Sequence, residues 1–340
     1  METSIINRIQ EGLTEKKGSL EEWREETTQD HKEICLCSTD ESVLEEHLHV
    51  IDESLQKIED GVLGVCQVCH GTVDDELLLM DYTSTVCLSH FSDKELRELE
   101  SELELSQLVQ RSLLPQRVPS ITGFDIAAFS RPAQIVSGDY FDFLQFKNGT
   151  YGLVVADVSG HGVSAGMVMT SLQMAFQTLT SENSSPSAVL DRINHIYLHN
   201  VNFTNFVTVF FASLDPNTRV LSYANAGHNP PLVYRPETDK MIWLKPTGAA
   251  VGLMEHFNLQ PAKFQLKTGD ILLLYTDGVT EAYDPQGNEQ FGFNRLAGVI
   301  QHNKDLPADG LTNKIRETLT NYTQGALLED DVTLVVSKVV

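Results

Sequence analysis

The chain has 340 residues, with 24 Lys and Arg against 48 Asp and Glu, a formal net charge of −24. That charge argues against a nucleic-acid partner, whose phosphates would be repelled, while the length allows two domains, one of them with a sizeable core. No apolar stretch approaches the length of a membrane span and Met1 to Gln10 lacks a signal-peptide pattern, so the cytoplasm is the expected compartment.

Charge and cysteine are unevenly spread. Residues 1–114 carry 27 Asp and Glu against nine Lys and Arg, a net of −18, and hold all five cysteines. The rest of the chain carries only −6, so two regions of different character are expected to join near Pro115. In the first, Ser19 to Asp60 is acidic and helix-forming. Leu44, Leu48, Ile51, Leu55 and Ile58 recur at steps of four and three, which makes one apolar stripe on a helix. Leu20, Trp23 and Ile34 suggest an earlier helix, broken around Cys37 to Asp40, and the two are expected to pair as a helical hairpin.

Two short motifs follow, Cys66-Gln67-Val68-Cys69 and Cys87-Leu88-Ser89-His90, separated by seventeen residues. Paired thiols, then a thiol and an imidazole at the same spacing, fit a tetrahedral zinc site. The other reading is free buried cysteines. His70 competes with His90 for the fourth position, although its place beside Cys69 suits a knuckle less well. Cys35 and Cys37 lack a second pair and read as ordinary residues. Ile58-Glu59-Asp60-Gly61, the first Cys pair and the seventeen-residue gap resemble the DksA/TraR-type zinc finger over Ser54 to Phe91. Members of that family place a helical hairpin in the secondary channel of RNA polymerase, so the resemblance implies polymerase as a partner. Here His90 stands where the family usually has Cys, and its Asp-Ala tip motif is not visible around Cys35 to Glu41.

Ser92 to Leu114 is a further helix, with Leu96, Leu99 and Leu103 on one stripe and Glu98, Glu100, Glu102 and Glu104 on the polar side. It ends at Pro115, which helices rarely cross. The stripe fits a homodimeric coiled coil and equally a helix packed on its own domain. The expected organisation is thus a hairpin and zinc module over 1–91, a helical linker over 92–114 and a second domain over 115–340.

From Gly123 the chain reads as short strands with a few helices. The strands are predicted at Phe124 to Phe129, Phe141 to Phe146, Tyr151 to Ala156, Val207 to Leu214, Val220 to Ala224, Lys263 to Leu266, Ile271 to Tyr275 and Val332 to Val339. Helices are predicted at Val163 to Leu179, Ser187 to Asn200, Asn294 to His302 and Leu311 to Tyr322. Short Gly, Asn and Pro turns imply antiparallel neighbours. The expectation is an α+β domain of two stacked sheets with helices outside.

The stretch Tyr151 to Gly166 puts a carboxylate, Asp157, where a buried strand ends and glycines open a helix. An ionised carboxylate there is costly to desolvate unless a cation meets it, and oxygen ligands suit Mg2+ or Mn2+. Asp157 as a helix cap is the plain alternative. A dinucleotide loop built on Gly160, Gly162 and Gly166 is the other, disfavoured because the acid would repel a pyrophosphate. Further acids sit beside apolar runs: Asp139 and Asp142 at the entry to a strand, Asp277 after Ile271 to Tyr275, and Asp330 with Asp331 before the last strand. Each alone fits a turn or cap. If the ends converge, the acids repel one another unless cations lie between them, and a two-metal centre for phosphoryl transfer results. The second region has no cysteine, no Gly-Lys-Ser/Thr loop and no Gly-x-Ser-x-Gly elbow, which removes thiol phosphatases, P-loop enzymes and serine hydrolases.

Leu113-Leu114-Pro115, Arg131-Pro132-Ala133, Ser137-Gly138-Asp139-Tyr140, Asp157-Val158-Ser159-Gly160-His161-Gly162, Ala226-Gly227-His228-Asn229-Pro230-Pro231, Tyr275-Thr276-Asp277-Gly278-Val279-Thr280-Glu281 and Asp330-Asp331-Val332-Thr333 occur in this order. Together they resemble the PPM-type metal-dependent serine/threonine phosphatases, SpoIIE/RsbU branch, over Leu113 to Val340. The resemblance implies an αββα sandwich with two Mn2+ or Mg2+ ions at one sheet edge. Asp157 would bridge both metals, the Val158 carbonyl would bind one, and Asp277 and Asp330 would hold the other. Asp139 would act directly or through a water, and Asp331 would orient the site. Arg131 is a candidate phosphate clamp, and His228 and His161 fit structural or catalytic roles. The implied substrate is a phosphoserine or phosphothreonine of an anti-sigma-factor antagonist. The alternative is a polymerase-binding regulator whose phosphatase-like domain senses a ligand without catalysis.

Overall fold

The computed structural model describes residues 3–26, 42–74, 77–78, 82–90, 92–160, 162–183, 185–200, 206–254, 259–287, 289–326, 328 and 330–340. The chain divides into two compact units, Met1–Glu102 with His199–Thr204, and Leu103–Leu198 with Asn205–Val340. The division falls inside one helix, α3 (Asp93–Leu113).

In the first unit α1 (Thr3–Glu26) and α2 (Ser42–Glu59) pack together, with a Lys17–Asp52 ion pair joining them. The first helix begins at Thr3, well before the expected Leu20, and Ile34, Cys35 and Cys37 lie outside the described residues. The stripe on α2 does the packing: Ile51 is buried, with Leu55 and Ile58 half-buried against it. Ile9 and Leu13, one turn apart on α1, close this core together with Leu63, Cys66, Val73, Leu78 and Cys87.

The second unit is a sandwich of two antiparallel five-stranded sheets. The strands are β1 (Phe124–Arg131), β2 (Tyr140–Gln145), β3 (Tyr151–Val158), β4 (Val207–Asp215), β5 (Val220–Ala226), β6 (Leu232–Arg235), β7 (Lys240–Trp243), β8 (Ala262–Gln265), β9 (Ile271–Tyr275) and β10 (Val332–Val339). One sheet has the order β1-β10-β9-β6-β7 and the other β2-β3-β4-β5-β8. Helices α4 (Gly162–Glu182) and α5 (Pro186–Asn200) follow β3, while α6 (Asp277–Thr280), α7 (Gly292–His302) and α8 (Ala308–Tyr322) follow β9.

Burial follows from the layers. Leu272 and Leu274 of β9 join the core between the sheets, with Val155, Phe210, Leu214 and Val335. Ile271, Leu273 and Tyr275 point the other way, under Leu296, Ile300, Leu311 and Ile315 of α7 and α8. A strand covered on both faces needs an unbroken apolar run, which is what residues 271–275 are. On the opposite sheet α4 buries Ala165, Met169, Leu172, Phe176 and Leu179, and Phe176 stacks on Tyr140 and meets Phe211 edge-on.

The expected sandwich of sheets flanked by helices is the observed one. Sequence reading missed the hairpin β6–β7, whose strands have four residues each and follow Pro230-Pro231. Asp239, at φ +50°, makes its turn.

Candidate metal centre

The order of the sheets brings the acidic strand ends together. β10 lies between β1 and β9, so the segments before β10 and after β9 emerge side by side. Their contact is close enough that a Cβ on Gly278 would come within 2.1 Å of the Asp331 carbonyl oxygen. No side chain fits there. On the other sheet β2 and β3 pair through Tyr140 and Ala156, which places Asp139 and Asp157 at one edge. The Val158 carbonyl faces Gly138, where an added Cβ would meet it at 3.1 Å.

Asp331 uses both carboxylate oxygens to hold the loop that carries Asp139. Its Oδ1 accepts the Ala133 N–H at 2.7 Å, and its Oδ2 accepts the Ser137 hydroxyl and the Gly138 N–H, each at 2.7 Å. The Asp139 N–H in turn donates to Ser137 Oγ at 3.1 Å. The Asp139 side chain is buried, and its Oδ2 accepts the Thr276 hydroxyl at 2.8 Å. Thr276 is itself fixed, because its Oγ accepts the Thr333 N–H at 3.0 Å.

The carboxylates feel one another. Burial pushes Asp157 up to about 8, with the charges of Asp277, Asp330, Asp331 and Glu281 adding to it. Asp139 is raised well above the usual carboxylate range by burial, then by Asp157 and Asp331. Asp277 is raised by burial, then chiefly by Glu281. Among the described residues no ion pair with Lys, Arg or His involves Asp139, Asp157 or Asp277. Such a cluster repels itself and offers oxygen donors only, which is the donor chemistry of a hard divalent cation.

Asp142 does not belong to this cluster. It lies three residues into the β2 segment and accepts hydrogen bonds from the Tyr140 hydroxyl, Gln177 on α4 and the Phe143 N–H, at 2.8, 2.6 and 2.7 Å. It is a buried structural carboxylate. Arg131 is exposed at the end of β1 and lines a pocket against α8, with no hydrogen bond or ion pair to the acids. His161 lies outside the described residues.

His228 is a clamp between sheets. Its Nε2 lies 3.1 Å from the Tyr275 carbonyl oxygen and its Nδ1 lies 2.8 Å from Thr208 Oγ. A carbonyl only accepts, so Nε2 carries the proton and Nδ1 accepts from the threonine hydroxyl. Burial lowers its pKa to about 4, which keeps the ring neutral. The Asn225 side-chain oxygen accepts the His228 N–H at 2.8 Å and sets the turn.

Sequence reasoning missed Thr276, Glu281 and Gln110. The first two stand in the run from Tyr275 to Glu281, where the strand-end pattern drew attention to Asp277 alone. Gln110 on α3 is buried and exchanges two hydrogen bonds with the Ser137 backbone. Nothing in its neighbourhood, Leu108-Val109-Gln110-Arg111, distinguishes it from a surface glutamine.

In the first unit, the Sγ atoms of Cys66, Cys69 and Cys87 and a ring nitrogen of His90 lie within 4.8 Å of one another. The first pair forms a tight knuckle: the Val68 N–H points at Cys66 Sγ and the Gly71 N–H at Cys69 Sγ, each at 3.4 Å. The Gln67 N–H donates to the Thr85 carbonyl at 2.8 Å and ties the two halves. Burial opposes ionisation of Cys66, yet the N–H groups around it bring the thiol down to about 6. His70, exposed and at φ +57°, is not in the cluster. Three thiols, two of them with N–H groups aimed at the sulfur, plus one imidazole, are a donor set compatible with zinc.

Comparison with known proteins gives a consistent picture. The family described as Stage II sporulation protein E (SpoIIE) matches residues 147–340. Phosphoserine phosphatase RsbU of Bacillus subtilis (strain 168) is 31% identical over 240 residues, covering 71% of this chain and 70% of RsbU. Among solved structures, the RsbU and RsbW domains of a Mycobacterium tuberculosis protein match with a TM-score of 0.58 at 30% identity, over 66% of this chain and 62% of that one. The SiaA-PP2C domain of Pseudomonas aeruginosa has a TM-score of 0.63 at 20% identity and covers 72% of this chain and 98% of that domain, a likeness of fold.

Proposed function

We propose that this chain, which belongs to the SpoIIE family, dephosphorylates a phosphoserine or phosphothreonine of an anti-sigma-factor antagonist. It is a serine/threonine phosphatase of the metal-dependent kind. The observation that carries this reading is the convergence of Asp139, Asp157, Asp277, Asp330 and Asp331, each raising or feeling the charge of the others. A sensor domain without catalysis has no use for such repulsion, so the polymerase-binding alternative draws no support from it.

In this reading Asp157, the Val158 carbonyl, Asp277 and Asp330 would hold two Mn2+ or Mg2+ ions, with Asp157 serving both. Asp139 joins them directly or through water. When bound, the two ions acidify water and neutralise the phosphoryl oxygens. The protein's own groups supply rigidity: the Thr276 hydroxyl aims Asp139, and Asp331 ties the 133–139 loop to the start of β10. His228 fixes the end of β9, two residues before Asp277, and with Nε2 on the Tyr275 carbonyl and Nδ1 on the Thr208 hydroxyl it has no free ring nitrogen for substrate or water.

The first unit is proposed as a DksA/TraR-like module with one structural Zn2+ on Cys66, Cys69, Cys87 and His90, serving to sense or dock. The helix α3 leads from it into the phosphatase unit and bears Gln110, so it is proposed to carry regulation, with or without dimerisation through its leucines. The test is release of phosphate from p-nitrophenyl phosphate. Activity is expected with Mn2+, to be lost in chelator and to return on adding Mn2+. Phosphate release that persists in chelator contradicts the metal-dependent reading.

A further inference from the structure

Beside the acidic edge lies a pocket of about 490 Å3 that the metal chemistry does not use. Its walls are the end of β1, the second half of α8, and Thr323, Gly325, Ala326 and Leu328 after that helix. Two arginines line it, Arg131 and Arg316, with Asn313 and Thr320 beside them. Arg316 lies over the Phe129 ring, 3.8 Å from its centroid, and its Nη1 donates to Asn313 at 3.1 Å. The Arg131 side chain makes no hydrogen bond or ion pair among the described residues. Among the described residues that line the pocket, the one acid, Glu317, is held by Lys314 at 2.8 Å.

Two guanidiniums without a carboxylate partner among the described residues stand out in a chain with twice as many acids as bases. An unpaired Arg could easily find an internal acid in such a sequence. These two instead face one pocket, and guanidinium is the group suited to carboxylate or phosphate. The place is telling. Arg131 lies directly opposite Val332 in the β1–β10 register, and Val332 also lines the pocket. Val332 is two residues from Asp330, about 7 Å along an extended chain. A peptide with its phosphoserine at the acids therefore brings a residue two to four positions away to the pocket.

We propose that this pocket receives an acidic side chain of the protein substrate, flanking the phosphorylated residue, and that Arg131 and Arg316 read it. The inference rests on the phosphatase reading. It makes the pair specificity residues and gives them no part in the chemistry.

The experiment compares two synthetic phosphoserine peptides, one with Asp at the third and fourth positions on either side of the phosphoserine and one with Asn there. Both are tested on the full chain with Mn2+, alongside p-nitrophenyl phosphate. The wild type is expected to prefer the acidic peptide by about fivefold in kcat/KM, the scale of an exposed charge pair. In Arg131→Gln the ratio should approach one, and in Arg131→Glu fall below one. Hydrolysis of p-nitrophenyl phosphate should be unchanged in both, which also shows that the variants fold. A wild-type ratio near one, or a preference that survives both substitutions, overturns the proposal. So does the free-anion outcome, in which added sulfate inhibits the wild type but not Arg131→Gln while the peptide ratio stays at one. Failure of the phosphatase reading is separate, since p-nitrophenyl phosphate would then not be hydrolysed by the wild type.

Discussion

Gln110 and Ser137 exchange two hydrogen bonds: the Gln110 Nε2 donates to the Ser137 carbonyl at 2.7 Å, and the Ser137 N–H donates to Gln110 Oε1 at 2.9 Å. The glutamine belongs to α3, and the serine hydroxyl is held by Asp331 while it accepts the Asp139 N–H. One side chain thus links the helix to the loop that places Asp139. The approach is tight, since a Cβ on Gly166 of α4 would lie 3.1 Å from Gln110 Nε2.

Gln110→Ala removes both bonds and leaves the Ser137 amide unpaired in a buried place, at a cost of about 1–3 kcal/mol. The loop should then hold Asp139 less well. Titration of p-nitrophenyl phosphate hydrolysis with Mn2+ should show half-activation moved to at least several-fold higher metal, with much of the rate recovered at saturation. An unchanged Mn2+ titration would separate Gln110 from the acidic site.

Asp157→Asn should reduce phosphatase activity below a tenth of wild type at saturating Mn2+, because the charges of Asp277, Asp330, Asp331 and Glu281 all act on Asp157. The same change removes a source of repulsion. In chelator at pH 8.5 the variant should therefore melt at a higher temperature than wild type, by differential scanning fluorimetry. Lower activity with a lower melting temperature would mean damage to the fold.

The acids and His228 give the metal-free protein opposite pH slopes. Asp157 has its folded pKa raised to about 8, so the folded state keeps a proton that the unfolded state has lost. Stability from this source is complete below about pH 4 and falls as pH rises to 8. His228 has its folded pKa lowered to about 4, so its contribution is complete above about pH 6.5 and falls as pH drops through 4. Between pH 6.5 and 8 the acids set the slope of the phosphatase unit, while Cys66 in the first unit, its thiol lowered to about 6, slopes the other way. Urea unfolding in chelator should show stability declining across that window, and Mn2+ should flatten the decline. His228→Phe should be less stable at neutral pH and lose part of its slope between pH 6.5 and 4.

The cluster of Cys66, Cys69, Cys87 and His90 gives a metal-content test. The purified 340-residue chain should contain one Zn2+ by elemental analysis, and Cys66→Ser should lose it. The phosphatase activity with Mn2+ should persist in that variant, because the thiols lie in the first unit and the acids in the second. Wild type free of zinc would assign the thiols another role.

How far the sequence alone reached can be judged residue by residue. It determined the elements: apolar runs such as Ile271 to Tyr275, the leucine stripe of α2, and the two Cys/His pairs are local patterns. It also determined which acids stand at strand ends, since a carboxylate beside an apolar run marks the place where burial stops. Local pattern could not rank those acids. Asp139 and Asp142 are three residues apart, yet one meets Thr276 and the other turns to Gln177. The difference comes from β2 beginning at Tyr140, which leaves Asp139 in the preceding loop and commits Asp142 to the α4 side. Only the tertiary structure decided that His228 bridges the sheets, that Gln110 reads the Ser137 backbone, and that Arg131 lines a pocket against α8. Each of these contacts joins residues tens to hundreds of positions apart, through a sheet order that places β10 between β1 and β9. Propensity acts over a few neighbouring residues, whereas a hydrogen bond between distant ones exists only once packing has excluded water and brought the partners together.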